Sequence, residues 1–322
     1  MQQSGANVKL VIDTETTYKT NPGSPDGMIL PFVSESIQQK KGTISSKTIR
    51  ADRNPQRPGS GNKAVGGDIG FELSPEYGRL LKHIFGSYSK TGEAAPYTHT
   101  FKIGSLPVGM FLEKQFGDLD TAKYFWYNGL KVNSFKLSAK TEGMIDCSVN
   151  HIGAKETISA AVYDATPTDL GHTPFDSTEI TLSQGGSPLA VGTTIDFTLE
   201  NGLDGKSYTI GGGGEIRSLP AGTAKVTGTL EALFENDTLY ALAVAGTETT
   251  LTLEFGRGTK LGASAGNECL AFYIDELKFS GESPVVSGPT GLLVKLPFEG
   301  YYADGANASA LRAVLLSPIS TF

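Results

Sequence analysis

Two stretches far apart in the chain share one plan, and a chain that carries the same plan twice has few ways to fold. Residues 66–86 read GGDIGFELSPEYGRLLKHIFG, and residues 227–246 read TGTLEALFENDTLYALAVAG. Each starts with apolar residues at every second position, the spacing of a strand with one buried face. Each then passes through a polar turn into a compact apolar run and stops at a glycine. In the first copy Ser74 stands as an N-cap with Pro75 at the first helical position. Tyr77, Leu80, Leu81, Ile84 and Phe85 fall on one helical face, and Gly86 is a C-terminal stop. In the second, Asn236 or Asp237 caps a short helix with Leu239, Leu242 and Ala243 inward, closed by Gly246. Aligning Gly67 with Gly228 sets Ile49-Arg50 opposite Ile216-Arg217 and LKVNSF (130–135) opposite LKFSGE (277–282). The order of elements is the same in both halves although few letters are shared, which is the mark of an internal repeat.

The rest of the chain is punctuated for strands. Glycine occurs 40 times in 322 residues and long runs of helix formers are scarce, so the expected class is mainly β (α+β). Residues 1–30 are polar and carry Pro22, Gly23, Pro25 and Gly27; they read as an N-terminal arm with one short strand, Val8 to Ile12. A first β domain is expected over 31–160, with strands in 31–50, 64–73, 99–103, 110–116, 124–129, 130–140 and 144–155. Thr, Pro, Asp and Gly dominate the start of 161–190, which reads as a linker with one short strand, EITL. A second β domain over 191–322 restarts the pattern at 194–202, 215–222, 224–234, 250–256, 268–279 and 291–303. Between the first strands lies RADRNPQRPGSGNK (50–63), an exposed loop of a length that is more often functional than decorative.

Charge and motifs exclude more than they assign. A formal charge of −7 and a pI near 5.2 argue against a sequence-independent grip on phosphates, which needs clustered Lys and Arg. Cys147 and Cys269 are too few and too far apart for a disulfide framework or a zinc site; two free thiols are expected, with one buried disulfide as the alternative. The N-terminus has no basic stretch followed by an apolar one, and no eighteen apolar residues run together, so neither export by the usual signal nor membrane insertion is expected. No phosphate loop, HExxH, GxSxG or CxxC is present, and GGGG at 211–214 leads into Glu215 and Ile216. His83, His99, His151 and His172 are scattered over different elements. Asp13 with Glu15, and Asp118 with Asp120, are carboxylate pairs able to hold a cation, although a solvated loop or a cap is the stronger reading of each. No cofactor and no enzymatic activity are expected.

A polar arm is followed by LPFVSESIQQKKGTISSKTIRADR, then GNKAVGGDIGFELSPEYGRLLKHIFG, then YNGLKVNSFKLSAKTEGMIDCSVNHIGAKE. This succession resembles the major tail tube proteins of long-tailed, siphovirus-like bacteriophages over roughly residues 10–160; the second half resembles them in element order alone. The resemblance implies two tandem tail-tube-type β-sandwich units, each with a flanking short helix, contributing strands to a β-barrel closed between subunits around a channel. Six units complete a ring. Two units per chain therefore imply a homotrimeric ring with pseudo-sixfold symmetry, the rival being a homohexamer that carries the second half as an outward decoration.

The same resemblance implies stacking of rings into a tube in the virion tail, synthesis in the host cytoplasm, and tape measure, tail tip and tail terminator proteins as partners. DNA would pass through without specific binding. Hairpins 130–155 and 268–303 are the expected channel wall, with Glu142, Asp146, Asp275 and Glu276 as lumen-lining candidates and Lys131, Lys136 and Lys140 opposing a uniformly negative wall. The arm and loop 50–63 are the expected ring-to-ring contacts, through Arg50, Arg53, Arg57, Asp13 and Glu15. The competing class is a carbohydrate-binding or adhesive β-sandwich, which needs exposed aromatic platforms; Trp126, between Phe125 and Tyr127, is expected in the core instead.

Overall fold

The structure, a computed structural model, describes residues 2–281, 283–286, 291–302, 304 and 307–322. The first half of the chain forms β1 (Lys9–Glu15), β2 (Met28–Ile29), β3 (Ser34–Glu35), β4 (Gln38–Ile44), β5 (Gly59–Glu72), α1 (Gly78–Phe85), β6 (Gly86–Thr91), β7 (Tyr97–Ile103), β8 (Gly109–Phe116), β9 (Lys123–Lys140), β10 (Asp146–Gly153) and β11 (Lys155–Ser159). The second forms β12 (Ile180–Gln184), β13 (Ser187–Pro188), β14 (Gly192–Glu200), β15 (Lys225–Leu233), α2 (Thr238–Ala245), β16 (Glu248–Gly256), β17 (Cys269–Phe279), β18 (Leu293–Gly300) and β19 (Arg312–Ser317). The protein is thus mainly β, and its paired strands run antiparallel.

One strand ties two sheets together. The first part of β9 lies between β8 and β11, in a sheet ordered β2-β1-β8-β9-β11. At Gly129, with φ of 65°, the backbone turns out of that sheet, and a Cβ there would run into Tyr18 and Ala154. Its second part enters a larger sheet, between β10 and β14. The two strands expected at 124–129 and 130–140 are therefore one strand with a bend, because glycine lets the chain change sheets without ending the ladder.

The larger sheet runs β4-β5-β10-β9-β14-β15-β18-β17, with β3 extending the β4 edge, and it continues from β17 through β16 to β12. Its first four strands come from the first half and the next four from the second, and each set joins the strand before the helix to the same neighbours. Gly67 lies opposite His151, which lies opposite Val132; Gly228 lies opposite Phe298, which lies opposite Phe279. Both matches made from sequence, Gly67 with Gly228 and LKVNSF with LKFSGE, fall on this ladder. A Cβ on Gly67 would strike the backbone of Ser36, and one on Gly228 the backbone carbonyl of Asp196, so close strand approach requires glycine at both places.

Alternate residues of these strands enter one continuous hydrophobic core. Phe272 of β17 sits at its centre. Its ring centroid lies 6.5 Å from Phe85 of α1, 6.0 Å from Phe135 of β9, 5.4 Å from Phe197 of β14 and 6.2 Å from Phe255 of β16. At β17 the sheet also branches, through β19 to β7 and β6, so the last described strand of the second half pairs with the first half.

Several expectations are corrected by this packing. Residues 161–190 are no loose linker: Phe175 is fully buried against Phe255, its N–H donates to Leu73 O, Ile29 N–H donates to Thr168 O, and β12 pairs with β16. The polar residues that suggested a linker serve as caps, as where Asp164 accepts from Gly27 N–H and Asp176 closes a capping box with Glu179. The N-terminal arm is likewise tied down, since β1 is an inner strand with Val11 and Ile12 fully buried. Residues 215–222 are not a strand. Ile216 and Leu219 instead bury in a small second cluster with Ala154, while Ile49, the residue aligned with Ile216, is 95% exposed. β6 and β19 carry no expectation from the sequence: β6 is largely polar and follows α1 at once, and β19 alternates, with Ala313 and Leu315 buried, at the end of an otherwise irregular stretch.

The helices form where expected. Ser74 is extended, Pro75–Tyr77 make a 3-10 turn that runs into α1, and Gly86, with φ of 89°, returns its N–H to Lys82 O. Leu80, Leu81, Ile84 and Phe85 are buried, each contributing about 2 kcal/mol of transfer free energy. In α2, Asp237 is the N-cap residue and Gly246 the left-handed stop.

Candidate functional site

The core side of the large sheet is apolar, and its other side is polar. Along β9, Phe135, Leu137 and Ala139 are buried, while Ser134, Lys136, Ser138 and Lys140 alternate with them on the opposite face. Across the strands Ser138 lies opposite Asp146 and Asp196, and Ser134 opposite Asn150 and Glu200. Lys140 lies opposite Thr194, which faces Glu231, which faces Lys295, with Lys295 Nζ 3.5 Å from Glu231. Acidic and basic groups are thus interleaved over this face.

Among the described residues the outer side of β4 pairs with no strand, whereas the outer side of β17 is taken by β16, from Glu248 opposite Lys278 to Gly256 opposite Cys269, and only the run after Phe279 is unpaired. At one end Ser36 N–H donates to Asp68 O, which turns the N–H and C=O of Glu35, Ile37 and Gln39 away from β5. Side chains cover part of this edge. Ile37 O accepts from Lys114 Nζ at 2.9 Å, Ile37 N–H donates to Glu35 Oε2 at 3.1 Å, and Lys114 and Glu35 form an ion pair at 2.7 Å. At the other end β17 pairs with β18 only over Leu277–Phe279, Ser280 N–H reaches Pro297 O, and residues 283–286 leave the ladder. Val285 is 75% and Val286 72% exposed there.

The candidate residues divide by environment. Glu142 is exposed at the β9–β10 turn and Asp146 on the polar face. Asp275 is instead engaged by Arg312, with contacts of 2.7 and 3.2 Å, while Arg312 lies 3.7 Å over the Tyr273 ring. Glu276 is half-buried, and its backbone carbonyl accepts from Tyr301 N–H. Residues 282, 287–290 and 303 of the expected hairpin 268–303 lie outside the described residues. Arg50, Arg53 and Arg57 are exposed in the loop between β4 and β5, where Arg50 pairs with Asp52 at 2.8 Å.

Asp13 and Glu15 are corrected from surface contacts to buried structural groups. Asp13 accepts from Thr14 N–H, Asp26 N–H and Tyr163 OH, with Arg79 at 3.7 Å. Glu15 accepts from Asn128 Nδ2, Gly129 N–H and Lys19 N–H; burial raises its pKa and these hydrogen bonds oppose the rise. Asp118 accepts from Ser4 N–H and from the side chains of Gln3 and Asn7, fastening the first residues to the end of β8. The sequence carries no local signal for the bonds to Tyr163, Asn128, Gly129 and Asp118, whose two ends lie more than a hundred residues apart.

A further anchor crosses the halves. Glu215 meets Lys19 at 3.0 Å and Lys63 at 3.1 Å; burial acts to raise its pKa, but the two lysines outweigh burial and hold it below the usual carboxylate range.

The histidines do not converge on a reaction centre. His83 is buried with its Nε2 3.0 Å from Thr14 Oγ1, and burial, helped by His151 and nearby cations, lowers its pKa to about 3. His151 is buried, and burial lowers its pKa to about 4 against the opposing effect of Asp68. His99 is held by Tyr88 OH and Ile319 O. Among the described residues no three His, Cys, Asp or Glu side chains gather as a metal site. Cys147 and Cys269 are buried free thiols, and burial raises both pKa values, that of Cys269 to about 11. Trp126 is partly buried, donating its indole N–H to Glu113 at 3.0 Å with its ring edge-on to Phe111.

The large sheet thus has a cored face, a polar face, an unpaired β4 side and an unpaired run after Phe279. The family model of phage tail tube proteins matches residues 5–300, and the chain belongs to that family. It is therefore a structural component of the virion tail, in a family that is not enzymatic. No curated protein matches the chain.

Proposed function

We propose that this chain is the subunit from which the tail's hollow tube is built: three copies close into a ring, and stacked rings conduct DNA to the host. The observation that carries the reading is the repeated strand order, β4-β5-β10-β9 then β14-β15-β18-β17, in one sheet unpaired along β4 and in the run that follows β17 past Phe279. Such a sheet is continued by another copy of itself, and closure removes the exposed edges that otherwise invite aggregation. Two non-identical units then alternate around a pseudo-sixfold ring. The core shared through Phe272 favours this over a hexamer in which residues 191–322 are an added decoration, since an add-on domain keeps its own core.

In this reading the polar face is the channel wall. Glu142 and Asp146 belong to it; Asp275, neutralised by Arg312, contributes structure. Interleaved charges present no basic stripe, so passing DNA finds no run of lysines on which to release counterions and stick. The exposed loop with Arg50, Arg53 and Arg57 is the stacking contact, pairing carboxylates of the next ring. Tape measure, tail tip and terminator proteins meet the tube inside and at its ends, and subunits made in the host cytoplasm assemble there.

Electron microscopy of the purified protein across concentration, with the mass of the smallest ring measured in parallel, tests this. Hollow tubes and three-chain rings are expected. Six-chain rings would move residues 191–322 to the exterior, and a chain that stays monomeric at every concentration would overturn self-assembly.

A further inference from the structure

We infer that the ring is sealed by a joint whose template already exists inside each chain. The strand Ser34–Lys41 of one copy adds antiparallel to Gly281 and Ser283–Val286 of the next, in the register that β14 uses on β9. This rests on the ring reading above and assigns its contact residue by residue.

The template is explicit. Within the chain Phe197 lies opposite Leu137, Thr198 opposite Lys136 and Asp196 opposite Ser138. The strand ladder makes Ile37 the counterpart of Phe197, since each lies beside the matched glycines Gly67 and Gly228. It also makes Leu277 the counterpart of Leu130, since two residues further on Phe279 and Val132 pair with Phe298 and its match His151. Carrying β14 on β9 over to two copies sets Glu35 opposite Val286, Ile37 opposite Pro284, Gln38 opposite Ser283 and Lys40 opposite Gly281. Pro284 and Val286 then continue the core-facing side of Leu137 and Ala139.

Three independent details fit a second copy as the occupant. First, Asn201 N–H donates to Asn133 O, which turns the N–H and C=O of Phe197 toward β9; the same alternation turns those of Ile37 outward. The residue set opposite Ile37 is Pro284, which has no N–H to give. The carbonyl that would go unpaired is the one already satisfied by Lys114 Nζ. Second, Asn201 Nδ2 bonds Ile84 O near the C-terminus of α1. The counterpart of Asn201 is Lys41, so the joint brings a cation to the C-terminal end of α2, where the helix dipole favours it. Third, the segment that would receive the strand is the exposed, unpaired one, and it touches the exposed side of α2 through Tyr240 OH and Ser283 Oγ at 3.1 Å. Its counterpart in the first half is fully laddered, between β10 and β14.

Directly opposite residues in a non-hydrogen-bonded antiparallel pair lie close enough for a disulfide. The test is therefore the double variant Gln38→Cys with Ser283→Cys, oxidised after assembly and run on a denaturing gel. The native cysteines are buried and give little background. The expected result is a product of three covalently linked chains. The control, Gln38→Cys with Val286→Cys, sets the thiols on opposite faces and is expected to stay uncrosslinked.

Rings or tubes that form without this cross-link, or that cross-link equally in the control, would overturn the joint and leave the tube standing. A wild-type chain that forms neither ring nor tube would overturn the ring reading itself. Lys41→Glu is expected to raise the concentration needed for ring formation about tenfold while the melting temperature of the monomer is unchanged; an unaltered threshold counts against the Lys41 contact and the register that predicts it.

Discussion

Helices α1 and α2 hold the same place in the two halves, directly after the strand carrying Gly67 or Gly228, yet their surroundings differ. In α1, which carries Arg79, Lys82 and His83, seven of eight residues are buried, Arg79 included; it lies under β7 and β9, and Lys82 Nζ reaches Phe322 O. TLYALAVA of α2 is nearly all apolar, yet Leu239 is its one fully buried residue and Val244 is 68% exposed. Composition would have ranked their burial the other way round. What decides it is the company each helix keeps: α1 packs on first-half strands and also meets Asn201, Phe272 and Phe322 of the second half, whereas α2 packs mainly on β17 and β18. The first half is closed by the second, while the second is left open on the side where the proposed joint lies.

The largest expected effect concerns the shared core. Phe272→Ala removes the ring touching both halves and is expected to cost 3–5 kcal/mol, within the roughly 3–5 kcal/mol typical of buried phenylalanines. Urea unfolding followed by two probes should still show one transition, shifted as a whole; a shift confined to one of two transitions would break the picture of a common core. Next come the helices. Leu81→Ala should cost about 3 kcal/mol and Leu239→Ala about 1 kcal/mol, because the second site is at the rim of the core. Equal losses by denaturant titration would remove the asymmetry between the halves.

Acid provides the third comparison, because His151 stands where the second half has Phe298. His151 and His83 have pKa values lowered to about 4 and about 3 from an ordinary 6.5, so the unfolded chain binds more protons than the folded one as pH falls. Their contribution is fully present above pH 6.5 and is lost from there down to about pH 4 for His151, on the order of 3 kcal/mol, and down to about pH 3 for His83. Melting temperature should fall over that window, and His151→Phe should flatten the fall; an unchanged slope would show that His151 is not responsible. The smallest effect on folding is expected from Arg50→Ala, Arg53→Ala and Arg57→Ala together. Their stability should stay within about 0.5 kcal/mol of the parent, since the side chains are exposed. Sedimentation should nevertheless show shorter tubes if the loop is the stacking contact, and unaltered tubes would sharpen attention on the lateral joint alone.

Strand alternation, the proline and glycine limits of α1 and the stop at Gly246 were all legible in the chain. Each depends on neighbours within about ten residues, where side-chain periodicity and backbone preference act directly. The candidate site was legible only in part. Asp146 alternates onto the polar face as its strand requires, whereas Asp275 alternates in the same way and is then claimed by Arg312 from a strand the sequence did not announce. Asp13 and Glu15 read as surface charges in a polar arm. Their burial follows from donors on Tyr163, Asn128 and Gly129, and charged groups enter a core only when such partners meet them.

By itself, then, the sequence determined the mainly β class and many of the local elements, because periodicity, caps and turns are short-range properties. Only the tertiary structure decided that the halves share one core, that β9 serves two sheets, and that β1 is an inner strand. Those outcomes depend on apolar area and hydrogen-bond partners brought together from across the whole chain.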